Sequence, residues 1–84
     1  MDLGRPWRLH PQVALRDEPF GALAYHYGNR RLIFLRSPDL VRLVRSLERF
    51  DSADAALAAV SPPQRAAYRA ALARLAASGM LDAG

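Results

Sequence analysis

The chain has 84 residues and a net charge of +4, and its basic residues are 12 arginines with no lysine. It contains no cysteine, which excludes disulfides, thiolate metal sites and a cysteine nucleophile and is typical of a cytoplasmic protein. Because no apolar run approaches the ~20 residues of a membrane span and no secretion signal precedes the body, we expect one cytoplasmic domain over residues 1–84.

The chain begins with a stretch that lacks regular periodicity. Residues 1–11 are predicted to form a loosely structured arm, since Pro6 and Pro11 interrupt any hydrogen-bonded ladder. Residues 12–16 alternate in polarity and predict a first strand. The segment Asp17-Glu18-Pro19 then predicts a turn.

A hairpin is the next predicted element. Residues 22–27 alternate as a second strand, and Gly28-Asn29 is a dipeptide typical of a two-residue turn. That turn sets a register in which Tyr25 faces Leu32 and Leu23 faces Phe34, so large side chains stack across the pair.

The third predicted strand, over residues 32–35, is unbroken apolar sequence. We expect it to be covered on both faces, and to form the edge of the sheet because no later strand is predicted. An apolar edge is an aggregation hazard unless something pairs with it. Residue patterns alone do not decide what pairs with or covers this edge. The candidates are the N-terminal arm, a second copy of the chain in a homodimer, or an extended acidic peptide.

Helical periodicity starts at Ser37, a predicted N-cap followed by Pro38 at the first helical position. The face of this helix that lies opposite its apolar stripe carries Arg42, Arg45 and Arg49. We interpret this face as a solvated surface or a docking site for an acidic partner. A second helix is predicted from Asp51-Ser52.

The third helix is predicted over residues 62–78, between a capping box at Ser61 and Gln64 and a glycine stop at Gly79. Its apolar stripe contains Tyr68, Leu72, Leu75 and Ala76. Arg65 and Arg69 flank that stripe, and Arg74 is predicted to point away. If the helix packs beside the edge strand, the far wall of the resulting groove would be formed by Arg65, Arg69 and Leu72.

Together these elements predict an α+β fold, a small winged-helix-like domain with a three-stranded antiparallel sheet followed by three helices. Catalysis is not expected, because neither His10 nor His26 has an acidic partner at a useful spacing and no set of metal ligands is clustered. A winged-helix DNA-binding protein is the alternative function. It is disfavoured because the polar side of the third helix is almost all alanine.

Several segments resemble the family of mycofactocin peptide chaperones (MftB), among the PqqD-like recognition elements of ribosomal peptide pathways. They are RPWRLHPQVALR at residues 5–16, EPFGAL at residues 18–23, and the short segments Tyr25-His26 and Arg30-Arg31-Leu32. The resemblance implies a cofactor-free, non-catalytic chaperone. It would bind the leader of the precursor peptide by strand addition and present it to a radical S-adenosylmethionine maturase.

The resemblance also implies where the leader would bind. The implied peptide-binding residues are those of the third strand and the facing helix: Arg31, Leu32, Ile33, Phe34, Leu35, Arg65, Arg69 and Leu72.

Overall fold

Two antiparallel sheets organise the computed structural model, which describes residues 1–83; Gly84, the last residue of the predicted domain, lies outside them. Strands β2 (Val13–Glu18), β3 (Gly21–His26) and β4 (Leu32–Leu35) form a three-stranded meander in the order β2-β3-β4. Strands β1 (Trp7–Leu9) and β5 (Leu81–Ala83) pair with each other. The α+β class and the antiparallel three-stranded sheet are therefore confirmed.

The helices follow β4 in the predicted order. They are α1 (Pro38–Ser46), which continues as a 3₁₀ turn over Leu47–Arg49, then α2 (Ala53–Ala58) and α3 (Pro62–Ala77). Ser37 is the N-cap of α1, and its hydroxyl accepts a hydrogen bond from the Leu40 amide at 3.3 Å. Gly79 has a φ of +81°, as the left-handed position after a helix requires.

The predicted capping box at the start of α3 is not formed through backbone donors. The hydroxyl of Ser61 instead donates to the side-chain oxygen of Gln64 at 3.1 Å, and its side chain accepts no cap hydrogen bond. The helix starts at Pro62 as predicted, because a proline at the first position needs no amide partner.

The register of the hairpin is confirmed, but its turn is longer than predicted. Leu23 faces Phe34 and Tyr25 faces Leu32. The residue with positive φ in the turn is Arg30, at +62°. The side chain of His26 fixes the turn, because its Nδ1 accepts hydrogen bonds from the amides of Gly28 and Asn29 at 2.9 and 3.1 Å.

Strand β2 extends further than the sequence predicts. Asp17 and Glu18 lie in the strand opposite Ala22 and Gly21, so the predicted turn at Asp17-Glu18-Pro19 is wrong by two residues. The strand continues because β3, which begins at Gly21, pairs with both residues; Asp17 also accepts a hydrogen bond from Arg45 of α1 at 3.0 Å. That pair holds the edge of the sheet against the helix.

The helices cover one face of the meander. On β3 that face presents Ala22 and Ala24, whose small side chains let the helices approach closely, and both are buried. Leu35 of β4 also points into this core and is 2% exposed. The largest fully buried side chains of the core are Leu35, Val44, Leu47, Leu57, Leu72, Leu75 and Met80.

Strand β4 is not covered on both faces, contrary to the prediction from its unbroken apolar run. Leu32 and Phe34 are 54% and 52% exposed, whereas their neighbour Leu35 is buried. The strand therefore alternates between a core face and an open face, although the residue types do not.

The N-terminal arm, predicted to be irregular, contains β1. Trp7 pairs with Ala83 and Leu9 with Leu81. Upstream of β1, the carbonyls of Leu3 and Arg5 accept hydrogen bonds from the first amides of α2, at Asp54 and Ala53. These bonds satisfy amides that a helix start leaves without partners, so the arm belongs to the folded body.

Candidate functional site

Within residues 1–83 no strand pairs with the side of β4 that points away from β3, which we term the free edge. Antiparallel pairs alternate between residues that exchange backbone hydrogen bonds and residues that do not. The amide of His26 donates to the carbonyl of Arg31 at 2.9 Å, so the next bonded pair is Ala24 with Ile33. The amide and carbonyl groups of Leu32 and Phe34 must then point away from β3. The N-terminal arm pairs with β5 and does not occupy this edge.

A groove lies between the free edge and α3. Its cavity has a volume of about 460 Å³. On the strand side it is bordered by Ile33, Phe34 and Leu35, and on the helix side mainly by Tyr68 and Ala71. The remaining lining residues are Arg36, Ser37, Leu40, Ala67, Arg74 and Leu75. The groove is thus mostly apolar.

Two hydroxyls form an uncharged polar pair in the groove lining. Ser37 and Tyr68 lie 2.9 Å apart and share a hydrogen bond between the start of α1 and α3. Tyr68 is 8% exposed, so its hydroxyl needs such a partner.

Positive charge surrounds the groove. Arg30 and Arg31 precede β4, Arg36 follows it, and Arg74 reaches the cavity from α3. Within residues 1–83 none of these four arginines belongs to an ion pair; the pairs that form involve Arg8, Arg16, Arg42 and Arg45. Their charge is therefore available to an acidic ligand.

The structure brings together only part of the predicted site. Residues 32–35 of β4 form the free edge, with Arg31 beside it. Leu72 is fully buried in the core and lies outside the groove. Arg65 donates to the carbonyls of Val60 and Ala58 at 2.9 Å, and these bonds hold it at the end of α2.

Arg69 is exposed but lies outside the groove lining. It precedes Ala71 by two residues, and side chains two residues apart on a helix do not share a face. The prediction that Arg74 points away is wrong, since Arg74 borders the cavity. The sequence signal for Arg74 is its spacing of three from Ala71, which places both residues on one side of the helix.

The second predicted cluster, Arg42, Arg45 and Arg49, also borders a cavity. This cavity, of about 510 Å³, lies between α1 and α2, with Phe50 and Val60 among its apolar walls. Arg42 pairs with Asp39 and Arg45 with Asp17. Two of the three charges are therefore partly compensated, which weakens the case for a strongly acidic partner on this surface.

The histidines have structural environments. Their rings lie 4.5 Å apart, and Nδ1 of His10 accepts a hydrogen bond from the Gln12 amide at 3.0 Å. Among the residues described, no group of three or more metal-ligating side chains is close enough to hold an ion. Over the same part of the chain, no helix has the length and apolar character needed to cross a membrane.

Comparison with known proteins gives one consistent family. The chain matches the profile of the Peptide chaperone MftB family over residues 6–82. It is similar to three curated proteins with the name Peptide chaperone MftB. The relative from Mycolicibacterium smegmatis is 50% identical over 80 residues, which cover 93% of this chain and 78% of that protein.

The relatives from Mycobacterium ulcerans and Mycobacterium tuberculosis are 48% and 45% identical over 82 residues. In both cases the alignment covers 95% of this chain and 75% of the relative. No solved structure matches the chain.

Proposed function

This chain belongs to the Peptide chaperone MftB family, and we propose that it is a non-catalytic chaperone that binds the leader of a precursor peptide by strand addition. The observation that carries the proposal is the free edge of β4 beside an apolar groove. A cytoplasmic complex with a radical S-adenosylmethionine maturase, to which the peptide is presented, completes the proposal.

Strand addition uses the backbone groups of Leu32 and Phe34. A guest strand antiparallel to β4 would exchange two hydrogen bonds with each of these residues. Alternate guest side chains would then enter the groove and pack against Tyr68, Ala71 and Leu75. The pattern favoured in the guest is an extended segment with apolar residues at every second position.

The side chains of the guest must supply a large part of the affinity. Each backbone hydrogen bond contributes about 0.5–1.5 kcal/mol net. The four bonds together therefore contribute less than the binding free energy of a micromolar complex, which is about 8 kcal/mol. The apolar groove lining provides the contacts that make up the difference.

The arginines select for an acidic guest and against self-pairing. Pairing of the free edges of two copies would bring Arg30, Arg31 and Arg36 of one copy beside the same residues of the other. No carboxylate neutralises these residues within the part of the chain that the structure describes. Such charges at an edge discourage edge-to-edge association, so we expect the free protein to be a monomer at micromolar concentration in a sedimentation experiment.

Presentation to the maturase follows from tethering. A chaperone that holds the leader while it contacts the enzyme raises the effective concentration of the core peptide at the enzyme's site. No chemistry is required of the chaperone itself.

A titration of the ¹⁵N-labelled protein with the leader peptide tests the binding site. We expect amide shifts at residues 32–35 and at Ala67 and Ala71. Ala67→Glu, which places a charge and bulk in the groove, should weaken binding about tenfold. Ala73→Glu changes net charge equally on the opposite side of α3 and should alter the affinity less than twofold. Shifts confined to other surfaces, or equal effects of the two variants, would refute the groove.

A further inference from the structure

The face of the meander that points away from the helices carries an exposed apolar surface, which we term the outer face. Three of its large apolar side chains, Phe20, Leu32 and Phe34, are 43%, 54% and 52% exposed. Leu23 and Tyr25 lie between them and are half-buried. A patch of this kind on a small domain marks a surface that another molecule covers.

The outer face adjoins the peptide groove but extends beyond it. Side chains of a strand alternate between the two faces of its sheet, so Leu32 and Phe34 extend outward while Ile33 and Leu35 extend toward the helices. Neither Phe20 nor Leu32 borders the groove. Phe34 and Arg36 border both the groove and the outer face, so a ligand on the outer face differs from a guest in the groove by its contacts with Phe20 and Leu32.

A small pocket gives the outer face its chemical character. The rings of Phe20 and Phe34 meet edge to face with centroids 6.0 Å apart. The guanidinium carbon of Arg36 lies 5.7 Å from the centroid of Phe34. These three residues line a cavity of about 460 Å³. Arg36 belongs to no ion pair within residues 1–83.

We propose that the outer face is a second docking surface, for a protein partner that presents an apolar side chain next to a carboxylate. The apolar group would fill the space beside Phe20 and Phe34, and the carboxylate would pair with Arg36. A second copy of this chain fits poorly, because it would bring another uncompensated arginine to the same pocket. The inference rests on the proposed function in one respect, which is that the partner is the maturase.

This arrangement places the two ligands on one strand. The guest pairs with the edge of β4, and its outward side chains would lie beside Leu32 and Phe34 as an added row of the outer face. The partner would then contact the protein and the bound peptide together. The protein can bind both at once if the partner pairs with Arg36, because the guest then uses the edge backbone and the charges of Arg30, Arg31 and Arg74.

The experiment uses two ligands with one set of variants. The purified maturase is the probe for the outer face, measured by biolayer interferometry in the absence of peptide. The leader peptide is the probe for the groove, measured by calorimetry. Phe20→Ser removes apolar surface from the pocket of the outer face at a residue that does not border the groove. Phe20→Leu retains an apolar side chain and is the matched control.

We expect Phe20→Ser to lose at least tenfold in affinity for the maturase while its affinity for the leader changes less than threefold. Phe20→Leu should bind the maturase within threefold of the wild type. If Phe20→Ser binds the maturase with the affinity of the wild type, or if the wild-type protein does not bind the maturase, the inference is overturned. Failure of the wild type to bind the leader counts instead against the proposed function, so the two failures are distinguishable.

Discussion

The hydroxyl of Tyr68 in α3 lies 2.9 Å from the hydroxyl of Ser37, the residue that caps α1 two positions after β4 ends. The Ser37 oxygen also accepts a hydrogen bond from the Leu40 amide. It therefore either accepts a second bond from the Tyr68 hydroxyl or donates its own proton to the Tyr68 oxygen. The bond links α3 to the segment that follows the edge strand. It helps to set the width of the groove between them.

Tyr68→Phe tests that link. The variant removes one hydroxyl from a buried position and leaves the N-cap in place, so the free energy of unfolding should fall by about 1 kcal/mol. Urea denaturation measures this change. The control is Tyr27→Phe, at a side chain that is 64% exposed, and it should leave stability unchanged. Equal stability of the two variants would show that the hydroxyl pair contributes nothing.

Phe34→Pro tests strand addition directly. The Phe34 amide points to the free edge, so a proline there removes a donor that the guest needs without removing a bond to β3. Compared with Phe34→Ala, which loses the same ring but keeps the amide, we expect at least about tenfold weaker leader binding, or roughly 1.4 kcal/mol. Calorimetry supplies both affinities, and circular dichroism confirms that both variants are folded.

Ile33→Pro completes this test, because the Ile33 amide is directed at Ala24 of β3. It should lower the melting temperature more than Phe34→Pro does. The reverse order of stabilities would mean that the assignment of free and paired amides is wrong.

The variants Arg74→Glu and Arg69→Glu compare the arginine that borders the groove with the arginine that the sequence predicted there. Reversal of charge at Arg74 should weaken binding of the acidic leader about fivefold at low salt, because the residue borders the cavity. Arg69→Glu makes the same change in net charge on another side of the helix and should cost less than twofold. The difference should shrink at 0.5 M NaCl as the charges are screened. A larger effect at Arg69 would favour the groove wall predicted from sequence.

Gly21→Ala should destabilise the fold. Gly21 has a φ of +149°, and an added Cβ would collide with the backbone carbonyl of Leu35 and approach the Ser37 amide at 2.9 Å. Backbone atoms cannot yield as side chains do, so we expect a loss of at least about 2 kcal/mol in urea denaturation. Gly4→Ala, whose Cβ would approach only the flexible side chain of Asp2, should change stability by less than about 0.5 kcal/mol.

The sequence was most informative where local chemistry determines structure. The bounds of β4, the cap at Ser37 and the stop at Gly79 depend on neighbouring residues, and all three are confirmed. Strands β1 and β5 were missed because three residues are too few to show a period, and their pairing joins distant parts of the chain.

The site was less predictable than the fold. Helix α3 is so rich in alanine that its faces differ little in polarity, and its orientation could not be fixed from the pattern. That ambiguity placed Arg69 in the groove and Arg74 outside it. The exposure of Phe34 was also hidden, since a run of four apolar residues gives no sign of which face is open.

The pairing of β1 with β5 brings Trp7 and Ala83 together as cross-strand neighbours. The Trp7 indole also donates to the Asp2 carbonyl at 2.8 Å, so Asp2 lies close to this pair. A flexible linker could therefore join residue 83 to residue 1 without loss of the arm, and the chain could be reopened elsewhere as a circular permutant. New ends at the exposed Ser61, between α2 and α3, would leave β4 and α3 each uncut while reversing their order along the chain. The groove depends on where these two elements lie in space, so a permutant of this kind should keep it.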